Sequence, residues 1–180
     1  MKKLFSTLFI SGVLMAAGSA IKAEDFTVSS TSFESGAAIP AKFAMKAVDG
    51  GQNLSPELSW KNAPQGTKAF AITCIDIHPI AQKWVHWMVV NIPADITSVP
   101  EGSSPSKMPK GSVELQNSFG GRGYGGPQPP KGSGVHKYVF TVYALGEPVK
   151  TGGTLTEAAF LELLSGKILA TGRIIGTFTR

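Results

Sequence analysis

The chain has three histidines, and all of them lie in or beside two stretches that carry other polar groups, residues 76–87 and 120–138. An imidazolium or a hydroxyl group donates hydrogen bonds to an anion, while a carboxylate fixes the tautomer or the charge of a neighbouring histidine. Together these residue types can bind a phosphate-like anion. The residues concerned are Asp76, His78, His86, His136 and Tyr138.

Strands must bring these residues together, because they are far apart in the sequence. Residues 69–76, 84–92 and 138–145 form apolar runs and are predicted as inner strands. Side chains alternate between the two faces of a strand, so Trp84 and Met88 are expected on one face with His86. Adjacent strands would then collect four polar residues at one end of a sheet: Asp76, His86, His136 and Tyr138.

The stretch 120–138 contains seven glycines and three prolines. Glycine lets a ligand approach the main chain closely, and proline fixes φ and stiffens the loop. We interpret the stretch as a rigid loop that delivers His136 to a binding pocket, where backbone amides can add to an anion site. A long surface linker is the alternative interpretation.

The remaining sequence predicts a mainly β domain, an antiparallel sandwich with one late helix. The helix is expected at residues 154–164, with Thr154 or Thr156 as its N-cap and Gly166 after its end. A short helical turn is expected at residues 168–172. Further strands are expected at residues 26–30, 41–48, 58–60 and 173–179, and an irregular excursion at residues 93–111.

Residues 1–23 have the layout of a secretory signal peptide, with a basic start, an apolar run and then small residues. Cleavage is expected after Ala20 or Ala23, which leaves a single domain over residues 24–180. We therefore expect a periplasmic or secreted protein with no stable membrane anchor. An uncleaved anchor is the alternative, because the uncharged run reaches Ile21.

Charge and cysteine content argue against two further classes of protein. The leader holds Lys2, Lys3 and Lys22 and no acid, so its removal lowers the formal charge from +5 to +2. No basic run of the kind that nucleic-acid binding requires is left. Cys74 is the only cysteine, so the chain has no internal disulfide, and its apolar neighbours predict that it is buried.

Two catalytic chemistries use the same residue types. Histidines and an acid can ligate a divalent metal, but His78 and His86 match no metal-binding motif. A serine hydrolase would place its nucleophile in a Gly-x-Ser-x-Gly elbow, which Gly132-Ser133-Gly134 is not. For any single histidine, a hydrogen-bonded position in the core is the alternative to a site.

Several motifs occur in a distinctive order along the chain. They are Asn53-x-Ser55-Pro56-x-Leu58-x-Trp60, the turn at residues 76–79, Trp84-Val85-His86-Trp87 running to Asn91-Ile92-Pro93, and Tyr124-Gly125-Gly126-Pro127-x-Pro129-Pro130-Lys131-Gly132 followed by His136-Lys137-Tyr138. In order and spacing they resemble the phosphatidylethanolamine-binding protein family, also called Raf-kinase-inhibitor-like, and above all its bacterial YbhB/YbcL-like branch. The resemblance runs from about Phe26 to the C-terminus.

The resemblance implies an antiparallel β-sandwich with a small accessory sheet and a C-terminal helix. It also implies a pocket for phosphate, acetate or a phosphorylated head group, without catalytic turnover, cofactor or metal. Relatives bind lipid head groups or inhibit a kinase or a protease, so a partner of that kind is expected. By motif position the pocket residues are Asp76, His86, Pro130, His136 and Tyr138, with Tyr124 and Gln128 at the rim.

The chain departs from the family pattern at residues 76–80, where the usual Asp-Pro-Asp-Ala-Pro is Asp-Ile-His-Pro-Ile. His78 replaces the second acid, which should favour plain anions over zwitterionic amines. Gln128 stands where bacterial relatives often have cysteine. Two alternatives to a binding protein stay open: a hydrolase or metal-dependent enzyme that uses the same cluster, and an interaction module with a vestigial pocket and residues 93–111 as its partner surface.

Overall fold

The computed structural model describes residues 25–150 and 156–180, so the leader predicted at residues 1–23 and the candidate cap Thr154 lie outside the described residues. The described residues form eight strands, one α-helix and two 3-10 helices. The strands are β1 (Thr27–Ser29), β2 (Leu58–Lys61), β3 (Ala69–Asp76), β4 (Trp84–Pro93), β5 (Ser98–Val99), β6 (Val113–Glu114), β7 (His136–Leu145) and β8 (Ile168–Phe178). The helix α1 is Glu157–Leu164, and the 3-10 helices are Ala41–Phe43 and Pro79–Ala81.

The strands form two antiparallel sheets, a small one in the order β1-β2-β5 and a large one in the order β6-β4-β3-β7-β8. Strand β3 is central in the large sheet, and all of its residues are buried. A strand that is covered on both faces needs apolar residues at every position, which explains the unbroken apolar run. The predicted mainly β architecture, with a small accessory sheet and a late helix, is confirmed.

The large sheet has a buried apolar layer on each face. On one face Phe70 and Phe140 pack against Trp60 of the small sheet. On the other face Met88 belongs to the layer that contains Phe160 of α1. Cys74 lies in the first layer and is buried, as predicted, and burial raises the pKa of its thiol.

Helix α1 begins at a capping residue that the sequence predicts. The hydroxyl oxygen of Thr156 accepts a hydrogen bond from the N–H of Ala159 at 3.2 Å, which satisfies one of the free amides of the first turn. Gly166 follows the helix with a φ of 73°, a left-handed conformation that favours glycine.

Two local predictions are wrong. Residues 41–48 do not form a strand, because the N–H groups of Phe43 and Ala44 bond back to the carbonyl groups of Pro40 and Ala41 in a 3-10 turn. Residues 168–172 are not helical but form the first half of β8, hydrogen-bonded along β7. Pairing with a neighbouring strand outweighs the local preference of this short segment.

Residues 93–111 are less irregular than expected. They contain β5, in which Val99 is fully buried and lies opposite Leu58 in the small sheet. Ile96 and Met108 pack against the layer between the two sheets. The segment therefore contributes to the core as well as to the surface.

A β-bulge in β4 changes the direction of the side chains near its start. His86 is the extra residue, so His86 and Trp87 follow each other on the same side of the sheet. Met88 consequently points to the opposite layer, beneath α1. The prediction that Met88 shares a face with His86 is wrong for this reason. The ladder pairs on either side of the bulge are Cys74–Trp87 and Ile75–Val85.

The glycine-rich loop is held to the body of the protein by two asparagines. The side chain of Asn53 accepts a hydrogen bond from the N–H of Gly126 at 2.7 Å and donates one to the carbonyl of Tyr124 at 3.3 Å. Asn117 donates to the carbonyl of Gly123 at 2.8 Å. The loop is therefore a packed structural segment and not a linker.

We predict that Gly126→Ala destabilises the protein. A Cβ atom at this position would overlap the carbonyl oxygen of Phe43 and would lie 2.7 Å from the carbonyl carbon of Ala44. Backbone atoms cannot move aside without shifting the loop, so we expect the free energy of unfolding in urea to fall by about 1–3 kcal/mol.

Gly121→Ala is the matched control, because a Cβ atom added there would have no other atom within 4 Å and its φ is not in the left-handed region. We expect a change of less than about 0.5 kcal/mol there. Equal losses for Gly126→Ala and Gly121→Ala would contradict the described packing.

Candidate functional site

A cavity of about 250 Å³ opens at the end of the large sheet, where β3 ends and where β4 and β7 begin. Asp76, the last residue of β3, lies opposite Trp84 on one side and opposite Tyr138 on the other. The ends of these three strands therefore bring the polar residues together, as their positions at the strand ends predict, although His86 reaches the cavity through the bulge in β4. The buried polar residues that line the cavity are Asp76, His86, His136 and Tyr138.

Asp76 and His136 form a buried pair. Nδ1 of His136 lies 2.6 Å from one carboxylate oxygen of Asp76, and the other oxygen accepts the N–H of His78 at 2.9 Å. Nε2 of His136 lies 2.9 Å from the hydroxyl oxygen of Ser133, which itself donates to the carbonyl of Pro130 at 2.6 Å. Since Ser133 has one proton and gives it to Pro130, these partners fit a His136 ring that donates from both nitrogens.

His86 is fixed by two hydrogen bonds to one glycine. Its ring donates from Nδ1 to the carbonyl of Gly125 at 2.5 Å, and its backbone carbonyl accepts the N–H of Gly125 at 2.8 Å. The ring also makes edge-to-face contacts with Tyr138 and with Phe119. The bond at Nδ1 sets the tautomer, so Nε2 of the neutral ring is a hydrogen-bond acceptor.

Burial lowers the pKa of His86 from 6.5 to about 4. The hydrogen bond to Gly125, the negative charge of Asp76 and a weaker hydrogen bond to the backbone of Gly126 raise this pKa, but by less than burial lowers it, and His136 lowers it further. His86 is therefore neutral near pH 7.

Tyr138 lines the cavity, and its hydroxyl oxygen is buried. This hydroxyl makes no hydrogen bond of ordinary geometry within the described residues, although the Asp76 carboxylate lies close enough to raise its pKa through a weaker hydrogen bond. Burial, followed by the charge of Asp76, raises the pKa of Tyr138 well above its usual range. The phenol thus keeps its proton and is able to donate it to a ligand.

The walls of the cavity are mainly apolar. Ile80, Trp84 and Phe119 line it and are also partly exposed at the surface. Two residues of the loop, Gln128 and Pro130, line it as the family resemblance implies. A ligand would therefore meet polar groups at the floor and apolar groups near the mouth.

Two of the residues selected from the sequence are placed differently from expectation. Tyr124 does not lie at the rim but is buried in the core, with its ring against Trp87. His78 does not line the cavity, and its ring stacks on that of His136 at a centroid distance of 3.9 Å.

Sequence reasoning missed two residues that shape the site. Phe119 precedes the glycine-rich stretch, and nothing in its surroundings marks it as a wall residue. Ser133 was considered only as a nucleophile, although it follows Pro130 by three residues, the usual span of a β-turn. In the structure it closes a turn of that length by donating to Pro130.

Loop amides were expected to contribute to an anion site, but five of the seven glycines in the loop do not have a free amide. Their N–H groups are bonded within the protein: Gly120 to Asn117, Gly123 to Leu115, Gly125 to His86, Gly126 to Asn53 and Gly132 to Arg180. Glycine is instead required for close packing at Gly125, where a Cβ would lie 2.6 Å from the ring of Phe119.

An aspartate, a histidine and a serine are linked here in the order of a hydrolase triad. The link differs from a triad in one respect, since the proton of Ser133 points to the carbonyl of Pro130 and not to His136. Ser133 is also absent from the cavity lining. Within residues 25–150 and 156–180 there is no group of three or more acidic, histidine or cysteine side chains arranged to hold a metal ion.

Comparison with known proteins identifies relatives over nearly the whole chain. A sequence model described as phosphatidylethanolamine-binding protein matches residues 29–179. YbcL of Escherichia coli is 37% identical over 175 residues, which cover 93% of this chain and 95% of YbcL. YbhB of the same organism is 47% identical over 98 residues, 53% of this chain and 61% of YbhB, so that match spans less than two thirds of its length.

Two further findings concern the fold and the cell envelope. The crystal structure of YbcL, described as a new member of the mammalian family, has a TM-score of 0.81 at 34% identity and covers 87% of this chain and 99% of its own. LppC of Mycobacterium tuberculosis, which is named as a lipoprotein, is 35% identical over 160 residues, 87% of this chain and 73% of LppC. In the part of the chain that the structure describes, no helix is long and apolar enough to span a membrane.

We predict that His86 titrates in the folded protein with a midpoint well below its ordinary value, near pH 4, as followed by the NMR signals of its ring. The unfolded chain takes up this proton near pH 6.5. Between these two values the unfolded state binds more protons, so the free energy of unfolding falls by up to about 3 kcal/mol as the pH drops from 6.5 to 4.

His86→Asn provides the comparison for this pH dependence, because an asparagine amide can still donate to Gly125 but does not titrate. Urea unfolding of the variant should show a weaker loss of stability over the same pH range. A ring midpoint near pH 6.5 in the wild type would contradict the buried, neutral state of His86.

Proposed function

The chain belongs to the phosphatidylethanolamine-binding protein family, and on this basis we propose that its cavity binds a small anion, such as phosphate or a phosphorylated head group. The single observation that carries the proposal is the buried hydroxyl of Tyr138, a residue that lines the cavity, because this hydroxyl makes no hydrogen bond of ordinary geometry among the described residues. A buried donor of this kind is costly unless a bound group satisfies it. The volume of about 250 Å³ suits a head group better than a large ligand.

We further propose that binding occurs without chemical turnover. The groups around Ser133 are already paired: His136 contacts both Asp76 and Ser133, and Ser133 donates its proton to Pro130. A nucleophile needs a free base beside it, and this arrangement supplies none to Ser133. The fixed network instead supports a preorganised binding site.

A protein partner of the kinase or protease class stays a prediction from the family resemblance. The exposed apolar residues Ile80, Trp84 and Phe119 at the mouth of the cavity support contact with the apolar part of a ligand or with a partner.

Export is the second part of the proposal. The layout of residues 1–23 supports it, as does similarity to a protein named as a lipoprotein. The destination would be the periplasm or the medium.

Tyr138→Phe should weaken phosphate binding about tenfold to hundredfold, because a hydrogen bond to a charged ligand is lost. Stability of the ligand-free protein should not fall, since the hydroxyl makes no hydrogen bond of ordinary geometry in the described part of the protein and its removal relieves a buried, unsatisfied donor. Isothermal titration with inorganic phosphate and phosphoethanolamine measures the affinity, and thermal unfolding measures the stability.

Tyr124→Phe is the matched control for this measurement. Its hydroxyl is also buried and without a partner among the described residues, but Tyr124 does not line the cavity. Its removal should leave the affinity unchanged. If the two variants bind phosphate equally well, the ligand does not contact Tyr138 and the proposed site is wrong.

Export predicts a shortened chain outside the cytoplasm. Mass spectrometry of protein recovered from the periplasm or the medium should find an N-terminus at Ile21 or at Glu24. Full-length protein confined to the cytoplasm would contradict the proposed signal peptide.

A further inference from the structure

The floor of the cavity contains an acceptor where an anion would ordinarily meet a donor. The ring of His86 uses Nδ1–H for the carbonyl of Gly125, which leaves a lone pair on Nε2 of the neutral ring, and the backbone of Gly126 also lies close enough to raise the pKa of the ring. Asp76 adds carboxylate oxygens, which already accept from His136 and from the N–H of His78. A ligand oxygen without a proton would face the lone pair of Nε2, so two acceptors would meet.

Tyr138 supplies a hydrogen-bond donor. Its hydroxyl is buried and makes no hydrogen bond of ordinary geometry among residues 25–150 and 156–180, and the phenol, near the Asp76 carboxylate, stays protonated. A donor and an acceptor therefore line the same cavity, and the rings that carry them are in edge-to-face contact with centroids 4.9 Å apart. The fitting ligand head is one that accepts at one oxygen and donates from another.

Several groups on neighbouring elements set the charge of His86. Asp76 on β3 and the backbone of Gly125 and Gly126 favour a proton on the ring, whereas burial and His136 on β7 oppose it. The other ring neighbours are Tyr138 on β7, which keeps its proton, and the uncharged Phe119 of the loop. With a pKa of about 4, His86 is an acceptor and not a cation at neutral pH.

We propose that the cavity selects the singly protonated monoanion of a phosphate monoester over its dianion and over anions that carry no proton. The P–OH group donates to Nε2 of His86, and a second phosphate oxygen accepts from the hydroxyl of Tyr138. The proton stays on the phosphate oxygen, so no bond is made or broken. This selection rests on the proposed anion binding and adds to it the protonation state that is recognised.

The experiment compares methyl phosphate with methyl sulfate by isothermal titration at pH 5.5. A phosphate monoester has a second pKa of about 6, so its monoanion predominates at this pH. Methyl sulfate has the same charge and nearly the same shape but lacks the proton. We expect methyl phosphate to bind about tenfold to hundredfold more tightly, the effect of one satisfied rather than opposed hydrogen bond.

The pH dependence gives a second, independent readout. As the pH rises from 5.5 to 8, methyl phosphate becomes a dianion, and its affinity should fall about tenfold or more. Simple attraction to a chain of positive formal charge would produce the opposite trend. Methyl sulfate keeps its charge, so its affinity should change little over this range.

His86→Asn tests the residue that makes the selection. The asparagine amide can keep the bond to Gly125, while the acceptor at Nε2 is removed. The variant should bind methyl phosphate and methyl sulfate within about threefold of each other. Thermal unfolding verifies that the variant is folded. If it is not folded, the comparison of methyl phosphate with methyl sulfate on the wild-type protein tests the selection by itself.

Each outcome separates the selection from the underlying function. Preference for methyl phosphate that declines with pH supports the selection. Equal binding of the two ligands, or tighter binding of the dianion, overturns it while anion binding itself stands. If neither ligand binds, both the proposed anion binding and the proposed selection are wrong.

Discussion

The hydrogen bond from the ring of His86 to the carbonyl of Gly125 links the fold of the loop to the chemistry of the cavity. The N–H of Gly125 bonds back to the carbonyl of His86, so β4 and the loop are joined at two points. Because the ring bond uses Nδ1, it also decides that Nε2 is an acceptor. A shift of the loop would therefore change the hydrogen-bonding character of the site as well as its shape.

The buried pair of Asp76 and His136 keeps a carboxylate stable inside the protein. A carboxylate that is removed from water needs a partner and further hydrogen bonds, and Asp76 has both in His136 and in the N–H of His78. Ser133 satisfies the remaining nitrogen of His136. With Asp76 paired in this way, the selection that we propose for the cavity floor depends on the direction of hydrogen bonds more than on charge.

The sequence predicted the strands at the site well, because β3 and β7 follow simple alternation or continuous burial. Asp76 and Tyr138 could be placed at one end of the sheet for that reason. The bulge at His86 was not predictable, since one extra residue in a strand leaves no mark on an apolar run. Likewise, an aromatic residue among glycines gives no indication of its burial, and Tyr124 proved to be a core residue. The glycines indicated close approach, but the partner was the protein's own backbone and the ring of Phe119.

The replacement of the family's second acid by His78 has a different consequence from the one that charge alone suggests. His78 lies outside the cavity lining, and its ring stacks on His136 with an interplanar angle of 15°. Its Nδ1 accepts from the N–H of Ile80 at 3.4 Å, which orients the ring at the start of the short 3-10 helix. His78 thus provides a flat surface beside His136, and the preference for plain anions expected from the family pattern stays a prediction. The proposed selection therefore depends on two conditions. The paired groups Asp76 and His136 must stay fixed, and the lone pair of His86 and the proton of Tyr138 must remain available to a ligand.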